Sequence, residues 1–245
     1  MPLATEHEIQ ASYRDRAVAE RYIANRFESE LMRLLHERQV GVVNGVMGAH
    51  RPGRTLEIAP GPGRLTRDVR PAGELACLEY NEAMIAQGRA ACPESVRWVQ
   101  GNAFELPFEP ETFDFAYSFR FIRHFHRDDR RRLHDQIRRV LRPGATFVFD
   151  AVNRAVSEPL RLADPAAYPI YDKLYASADE IRAELREDGF DMVACLPVQR
   201  RFAAQYRAQV LLGPRSRLIA RAVIRTLERL GGREPLEWIV TCRRE

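Results

Sequence analysis

The feature that most constrains this chain is Leu56–Thr66, in which an apolar segment leads directly into Pro-Gly-Pro-Gly. Thr55–Ala59 has the pattern of a buried strand, and the sequence from about Arg64 predicts a helix. Gly61 and Gly63 lack a Cβ atom, so the backbone between the two elements can turn sharply and approach a ligand closely. A strand, a glycine turn and a helix N-terminus in this order predict a nucleotide-binding crevice at the edge of a parallel sheet.

Short apolar segments alternate with helical patterns along most of the remaining chain. Further strands are predicted at Leu75–Glu79, Val96–Gln100, Phe113–Ser118, Thr146–Asp150, Met192–Val198 and Glu237–Cys242. Helices are predicted from Ala83 to Ala91, from Arg130 to Leu141, where Pro143-Gly144 ends the helix, and from Ser177 to Gly189, with Ser177 and Glu180 as a capping box. Strands that alternate with helices predict βαβ units and a parallel sheet.

Three segments lie outside this alternation. The region from Glu8 to about Gly48 is helical in pattern, Asn153–Ser177 is rich in Pro and Tyr without a clear period, and Gln205–Leu230 is a helical insertion broken by Gly213-Pro214. A chain of 245 residues with 45% hydrophobic residues suits one core. We therefore predict a single domain over 1–245, with a helical segment at 1–50, a binding core at 51–152 and two added segments at 153–177 and 203–234.

The apolar runs, cysteines and net charge of the sequence indicate where the protein works and which partners to expect. The longest apolar run is too short to span a bilayer, and the acidic start of the chain is unlike a signal peptide. Cys77, Cys92, Cys195 and Cys242 lack metal-ligand spacing, so a reduced, cytoplasmic protein without a bound metal is expected. The net charge of +4 comes from dispersed arginines, and the densest run, Arg127–Arg132, contains two aspartates. We interpret that run as solvated helix ends, and nucleic acid is not an expected partner.

The glycine turn and the end of the second strand indicate which nucleotide binds. The dinucleotide fingerprint requires a third glycine, and that position holds Thr66. Glu79 ends the second strand 18 residues after Gly61, and a carboxylate there can accept hydrogen bonds from both hydroxyls of a ribose. The alternative is an ordinary surface glutamate at a strand end. The pattern thus favours a ribose-containing ligand other than NAD.

Four motifs, in order and correctly spaced over about Thr55–Val152, together resemble the class I methyltransferases that use S-adenosylmethionine (SAM). They are Glu57-x-x-x-Gly61-x-Gly63, Glu79 with Asn81 and Met84, the run Gln100–Phe108, and Phe113–Ser118 followed by Arg139-Val-Leu-Arg-Pro-Gly144. The closest likeness is to the broad group of quinone-biosynthesis and natural-product methyltransferases. The resemblance implies an α/β, Rossmann-like, seven-stranded and mostly parallel sheet, with the last strand antiparallel and helices on both faces.

The resemblance also implies a set of cofactor-binding residues. They are Glu57, Ala59, Pro60, Gly61, Gly63, Glu79, Tyr80, Asn81, Met84, Asn102, Ala103, Phe104 and Ser118, with Tyr22 and Arg26 from the N-terminal segment. Asn102 stands where the family has Asp, and its amide oxygen can still accept from the adenine amino group. Arg26 would pair with the methionine carboxylate, unless this helix face is simply solvated.

Catalytic candidates follow the fourth strand, in the position that faces the methyl group in this fold. His124 is the leading candidate for a general base and His126 a weaker one, if the acceptor must lose a proton. A packing role is the alternative. The sequence Ser118-Phe119-Arg120-Phe121 lacks the Asn/Asp-Pro-Pro-aromatic tetrad of nucleic-acid amino-methyltransferases. Tyr168, Tyr171 and Tyr175 either line the acceptor pocket or form a structural lid.

The leading hypothesis is therefore methylation of O, N or C on a small-molecule acceptor. An RNA or protein methyltransferase and a non-catalytic SAM-binding scaffold are the alternatives. Segments 153–177 and 203–234 are expected to cap the acceptor site, although the helical insertion would also suit a homodimer interface or a solvated hairpin. Its apolar residues Leu218, Ile219, Ala222, Val223 and Leu230 predict one buried face. Arg217, Arg221, Arg225 and Arg229 form a second face, which favours an acceptor with negative charge.

Overall fold

The computed structural model describes residues 29–163, 175–232 and 234–245. The strands are β1 (Arg54–Ile58), β2 (Glu74–Glu79), β3 (Arg97–Gln100), β4 (Phe113–Ser118), β5 (Leu141–Val152), β6 (Phe190–Arg200) and β7 (Pro235–Arg244). The helices are α1 (Glu30–His50), α2 (Glu82–Ala91), α3 (Arg127–Val140), α4 (Arg154–Ala163), α5 (Ala178–Glu187), α6 (Phe202–Leu212) and α7 (Arg217–Arg229), with a short 3-10 turn at Ile122–His124.

The strands form one seven-stranded sheet in the order β3-β2-β1-β4-β5-β7-β6. The pairs from β3 through β5 are parallel, and β7 is antiparallel to both β5 and β6. This confirms the predicted fold class. The chain leaves β1 in one direction towards β2 and β3 and returns to β4 on its other side, so the carboxyl ends of β1 and β4 border a topological switch point, where ligands bind in open α/β sheets.

Helices cover both faces of the sheet. On one face α3 and α5 pack on Leu56, Ile58 and Phe147, and on the other α1 and α2 pack on Phe115 and Tyr117. The alternation of β1 sends Leu56 and Ile58 to the first face and Glu57 to the second, which places a carboxylate within an apolar layer.

Three local predictions were wrong. The helix expected from about Arg64 is a series of turns, because the segment has room for few residues between Gly63, whose φ is 78°, and Pro71. Pro143-Gly144 lies within β5 instead of following the helix, since Leu141 already pairs with Phe113 and a register shift absorbs the extra residues. In the segment thought to lack a period, Arg154–Ala163 is a helix that contains a proline.

The helical insertion is present as α6 and α7, with the predicted break at Gly213-Pro214. The predicted buried face of α7 was largely wrong. Of its residues only Val223 is partly buried, and Leu218, Ile219, Ala222 and Leu230 are exposed. Ala220, Ile224 and Glu228 are buried instead. The reason is the partner of α7: it packs on α1, where Ile224 joins Leu31 and Leu34 in a separate apolar cluster.

The arginine row of α7 lies beside the same helix. Arg221 pairs with Glu30 at 3.0 Å and with Glu37 at 3.2 Å, and Arg225 pairs with Glu37 at 2.6 Å. These arginines are thus engaged by carboxylates of α1, so the row no longer supports a negatively charged acceptor. Whether the segments 153–177 and 203–234 cap an acceptor site stays a prediction.

The basic run at the start of α3 was interpreted as solvated, and for Arg130 this was wrong. Arg130 is 1% exposed, and its Nε and Nη2 donate to the two carboxylate oxygens of Glu184 in α5. The ring of Tyr175 stacks on the same guanidinium, with 4.8 Å from Cζ to the ring centroid, and its hydroxyl donates to Glu184 at 2.8 Å. Tyr175 therefore has a structural role, and Tyr168 and Tyr171 lie outside the described residues.

Asp188 extends this buried network. It accepts hydrogen bonds from Arg127, and it lies 2.7 Å from Nδ1 of His134. His134, Glu184 and Asp188 are close enough to hold a metal ion. Burial acts to raise the pKa values of both carboxylates, but Arg130 holds the pKa of Glu184, and His134 with Arg127 that of Asp188, below the usual range. The arrangement therefore suits an ion-pair network that joins α3 to α5.

We expect Arg130→Met to lower the free energy of unfolding by about 3–5 kcal/mol, because it leaves the Glu184 carboxylate buried without its guanidinium partner. Arg131→Met is the matched control: Arg131 is the next residue of the same helix and is exposed, so the change should cost less than about 0.5 kcal/mol. Urea denaturation of both variants measures the difference. Equal stabilities would contradict a structural role for the buried pair.

Candidate functional site

A cleft lies at the carboxyl ends of β1, β2 and β4, at the predicted switch point. Of the predicted cofactor residues, its lining contains Glu57, Ala59, Pro60, Gly61, Glu79, Tyr80, Asn81, Met84, Asn102, Ala103 and Phe104, and it also contains His124. Gly63 and Ser118 are not part of the lining, and Tyr22 and Arg26 lie outside the described residues. The sequence motifs thus converge on one cavity, and the binding roles themselves stay predictions.

The two glycines of the turn have different roles in the structure. Gly61 has a φ of 60° and donates its N–H to Oε2 of Glu79 at 2.9 Å, so it forms the wall of the cleft. At Gly63, where φ is 78°, an added Cβ would collide with Sγ of Cys92 just after α2. Gly63 therefore permits close packing of the turn on α2, whereas Gly61 shapes the cavity.

Glu79 links the turn to the end of β2. Besides Gly61, its Oε1 accepts from the N–H of Asn81 at 3.0 Å. Burial raises the pKa of Glu79, and these backbone donors oppose the rise by stabilising the carboxylate. The backbone of Tyr80 is a third donor, and a carboxylate has about four lone-pair sites, so Glu79 can still accept a hydrogen bond from a hydroxyl in the cleft.

The two asparagines hold backbone segments at the cleft edge. Oδ1 of Asn81 accepts from Ala83 and Met84 N–H groups at 2.8 and 3.2 Å and so caps α2. Oδ1 of Asn102 accepts from the N–H of Phe104 at 3.0 Å, which orders the loop after β3. An adenine amino group at this position would share the Asn102 oxygen with Phe104, because a carbonyl oxygen has two lone pairs.

Glu57 is the buried carboxylate beneath the turn. Its Oε2 accepts from the hydroxyls of Thr66 at 2.6 Å and Tyr117 at 2.9 Å, and Sγ of Cys77 lies 3.7 Å away. One oxygen therefore joins the glycine turn to β4 and β2. Burial raises the pKa of Glu57 from 4.5 to about 7, although the hydrogen bonds and nearby Arg64 act in the opposite direction.

The segment after β4 forms the other end of the cleft. Ser118 is fully buried, and its hydroxyl donates to the carbonyl of Ile58 at 2.9 Å, so it links β4 to β1 and does not line the cleft. The lining residues that follow β4 are Phe119, Arg120, Phe121, His124 and Phe125. The rings of Phe121 and Phe104 each meet Phe125 edge to face, with centroids 5.1 Å apart. This end of the cleft is thus an aromatic wall that includes a buried histidine.

An ionic cluster holds the aromatic segment on the sheet. Asp150 of β5 accepts from the backbone N–H of Arg120 at 2.6 Å and from Nη1 of Arg123 at 2.9 Å. Arg123 also donates to Glu237 of β7 at 2.7 Å. Since all of these groups are largely buried, the cluster fixes the path of the chain that carries His124. His126, the weaker base candidate, lies at the start of α3 and outside the lining.

Sequence reasoning missed two cations of the lining, Arg64 and Arg120. Arg64 follows the glycine turn directly and is 4% exposed, and its guanidinium contacts His36 and Gln39 of α1, which are distant in sequence. Its position beside Gly63 was an available signal. Arg120 has a φ of 62°, a strained conformation for a residue with a side chain, and no sequence pattern indicates it.

We expect Glu57→Gln to change the pH dependence of stability. Folding raises the pKa of Glu57 from 4.5 to about 7. The contribution of its protonation to the free energy of unfolding is therefore complete below about pH 4.5 and declines as pH rises through 7. Relative to Glu57→Gln, the wild-type protein should lose about 3 kcal/mol of unfolding free energy between pH 4.5 and about 8. Denaturation across this pH range measures it.

Glu74→Gln is the control, since that carboxylate lies on the neighbouring strand and its side chain is 80% exposed. Its stability profile should run parallel to that of the wild type. A parallel profile for Glu57→Gln as well would show that Glu57 does not titrate abnormally.

Among the residues that the structure describes, no helix has the length and apolar character of a membrane span.

Comparison with known proteins supports the interpretation of the cleft as a methyltransferase site. The sequence profile described as a methyltransferase domain matches residues 56–149. Demethylmenaquinone methyltransferase of Staphylococcus aureus is 27% identical over 166 residues, which cover 64% of this chain and 68% of the relative.

Solved structures share the fold. A didemethyltoxoflavin N1-methyltransferase from Burkholderia thailandensis aligns with a TM-score of 0.64 and 18% identity, covering 100% of this chain and 92% of that one. The cyclase SpnF aligns with the same TM-score and identity, covering 100% of this chain and 98% of that one. The sheet topology, the cleft at its switch point and the matched methyltransferase domain together support a class I SAM-dependent methyltransferase.

Proposed function

We propose that this enzyme binds SAM in the cleft and methylates a planar, largely apolar small molecule at O, N or C. The observation that carries the proposal is the cleft itself, which has a carboxylate and backbone amides at one end and an aromatic wall at the other. Two relatives are named for quinone and toxoflavin substrates, which agrees with a flat acceptor. These names alone do not identify the acceptor of this chain.

The residues present suit SAM chemically. The Glu79 carboxylate can accept hydrogen bonds from the ribose hydroxyls, while the loop Asn102–Phe104 offers an amide oxygen and backbone groups to adenine. The turn Ala59–Gly61 also lines the cleft, and its backbone would lie beside the methionine part of a bound SAM. When bound, SAM supplies a sulfonium-activated methyl group, so the protein has to bind, align and exclude water.

The aromatic wall suits the acceptor. Phe104, Phe121 and Phe125 form a contiguous apolar surface, on which a flat ring can stack. His124 lies in the same lining and is the candidate base that removes a proton from an attacking hydroxyl or ammonium group. A carbon acceptor that is already electron-rich would need this base less.

The arrangement of arginines favours a small molecule over RNA or an acidic protein. Many described arginines pair with acids of the same chain: Arg123 with Asp150 and Glu237, Arg127 with Asp188, Arg130 with Glu184, Arg142 with Asp114, and Arg221 with Glu30. Paired arginines present little net charge to a polyanion. A methyl-transfer assay separates this enzyme from the non-catalytic alternative, a SAM-binding scaffold.

We expect SAM and its demethylated product, S-adenosylhomocysteine, to bind with micromolar dissociation constants, and NAD not to bind. Glu79→Ala should weaken the binding of both by about 10- to 100-fold, since a charge-assisted hydrogen bond contributes about 1.5–3 kcal/mol. Glu82→Ala, at an exposed position in the first turn of α2, is the control. Isothermal titration calorimetry measures these values. Binding of NAD in place of SAM would contradict the proposed cofactor.

We expect His124→Ala to lower the rate of methyl transfer by about 10²–10⁴-fold while the affinity for S-adenosylhomocysteine stays unchanged. The assay uses methyl-labelled SAM with a panel of quinols, phenols, aromatic amines and carbon nucleophiles. His126→Ala is the control, because His126 lies two residues away and outside the lining. Full activity of His124→Ala would exclude the general-base role, and transfer to no member of the panel would favour the non-catalytic alternative.

A further inference from the structure

The helical hairpin of α6 and α7 carries most of the large apolar side chains that are exposed in the described part of the chain. Nine such side chains occur within residues 29–163, 175–232 and 234–245, and six of them belong to this hairpin or follow it directly. The six, which are 52% to 78% exposed, are Tyr206, Val210, Leu211, Leu218, Ile219 and Leu230. Single exposed apolar residues are common, whereas a group of them on one element marks an interaction surface.

The exposed side chains lie on the side of the hairpin that faces away from the protein. The two helices pack on each other and on α1, and Ala208 and Ile224 are buried in the layer between them. The side chains on the opposite side therefore have no intramolecular partner layer. Four of them flank the break at Gly213-Pro214, namely Val210, Leu211, Leu218 and Ile219. We call the residues around this break, Arg207–Ile219, the hairpin tip.

The charge of the same segment has one sign. Residues 192–227 contain seven arginines and no acidic residue. Arg221 and Arg225 are engaged by carboxylates of α1. The arginines of the hairpin tip are exposed, and no carboxylate within the described ranges forms an ion pair with them; they are Arg207, Arg215 and Arg217. The hairpin tip thus presents aliphatic side chains and uncompensated positive charge on one surface.

The hairpin tip lies at the far end of an element that leaves the carboxyl edge of the sheet. α6 begins just after β6, and Glu228 near the end of α7 accepts from the backbone N–H of Arg200 at 2.9 Å. Both ends of the hairpin are therefore held at the sheet edge at which the cleft also lies. Because α7 has 13 residues, the tip is about 20 Å along the helix from that edge.

An anionic lipid surface fits the hairpin tip better than other partners do. Aliphatic side chains enter the boundary between headgroups and acyl chains, while arginines are attracted by anionic headgroups. A second copy that used the same surface about a two-fold axis would bring the two sets of arginines together, and like charges oppose such a contact. Surfaces that bind single-stranded RNA stack bases on aromatic rings, whereas the exposed apolar side chains of the tip are aliphatic.

We propose that the hairpin tip docks this protein peripherally on membranes that contain anionic lipids. Leu211, Leu218 and Ile219 enter the interface, and the three arginines of the tip lie among the headgroups. The proposal goes beyond the proposed function and does not depend on it, since no part of the argument involves SAM or an acceptor. Docking in this way would hold the edge of the sheet that carries the cleft near the bilayer.

Cosedimentation with lipid vesicles tests the docking. We expect the protein to bind vesicles of phosphatidylcholine with about 30% phosphatidylglycerol at least about 10-fold more tightly than vesicles of phosphatidylcholine alone, because the surface potential of anionic lipids attracts the arginines. Binding should weaken as the salt concentration rises, since salt screens that attraction. Absence of binding to the anionic vesicles would overturn the proposal.

Two triple variants separate the hairpin tip from the overall charge. Replacing all three tip arginines by glutamine should weaken binding to the anionic vesicles by about 100-fold, since each arginine near such a surface contributes a factor of about five. The control replaces three exposed arginines outside the hairpin and so changes the net charge equally: Arg131→Gln, Arg186→Gln and Arg243→Gln. Its affinity should change by less than about threefold. Equal losses in both variants would overturn the role of the tip.

Insertion of the aliphatic side chains needs a separate readout. Leu211→Ser combined with Leu218→Ser should weaken binding by about 10-fold with the charge unchanged, because less apolar surface leaves water. Val193→Ser, which removes an exposed apolar side chain of β6, is the control. In Leu218→Trp, the tryptophan emission should move to shorter wavelength on the anionic vesicles. Unchanged emission from vesicle-bound Leu218→Trp would overturn insertion.

The other possible partners are outcomes of the same experiments. Binding of single-stranded RNA in place of vesicles, lost in the tip triple variant, would overturn the proposal in favour of RNA. Self-association seen by light scattering and abolished by the two leucine substitutions, without vesicle binding, would overturn it in favour of a second copy. Calorimetry of SAM without lipid tests the proposed function separately, and circular dichroism of each variant establishes that the protein is folded.

Discussion

The hydrogen bonds at Oε2 of Glu57 are the constraint on which the cleft depends. A single carboxylate oxygen beneath the glycine turn joins Thr66 in the turn and Tyr117 in β4, with Cys77 of β2 beside it. Leu56 and Ile58 on either side of Glu57 anchor β1 in the opposite apolar layer. The backbone that will face a ligand is therefore held from below, by a group that is costly to bury without such donors. Loss of those donors would leave the turn without a fixed relation to β4.

The same principle, a buried charge held by specific partners, recurs around the cleft. Asp150 fixes the segment that carries the aromatic wall, and Glu184 with Arg130 fixes α5 against α3. An arginine-rich chain would otherwise present many positive charges to solvent. Here intramolecular acids engage many of them, so the positive net charge of the sequence says little about the partner of the protein.

Sequence patterns predicted the sheet well because its strands are short apolar runs with clear boundaries, and the motif residues follow those strands directly. They predicted the buried face of α7 poorly. Leu218 and Ile224 are similarly apolar, and it is the packing of α7 on α1 that buries Ile224 and leaves Leu218 exposed. Arg130 was assigned to solvent because its partner Glu184 lies 54 residues away. The position of Arg64 beside Gly63 was an available signal, but its contacts with His36 and Gln39 of the preceding helix left none. Interactions that depend on tertiary neighbours leave no local pattern.

The fold also explains why the two ends of the cleft differ in how exactly the sequence specifies them. At the β1–β3 end, the lining residues follow short apolar strands and a glycine turn directly, so local sequence patterns identify them. At the β4 end, the wall is built from phenylalanines whose placement depends on the Arg123–Asp150–Glu237 cluster. The position of these side chains therefore depends on tertiary contacts with β5 and β7, which no local sequence pattern predicts.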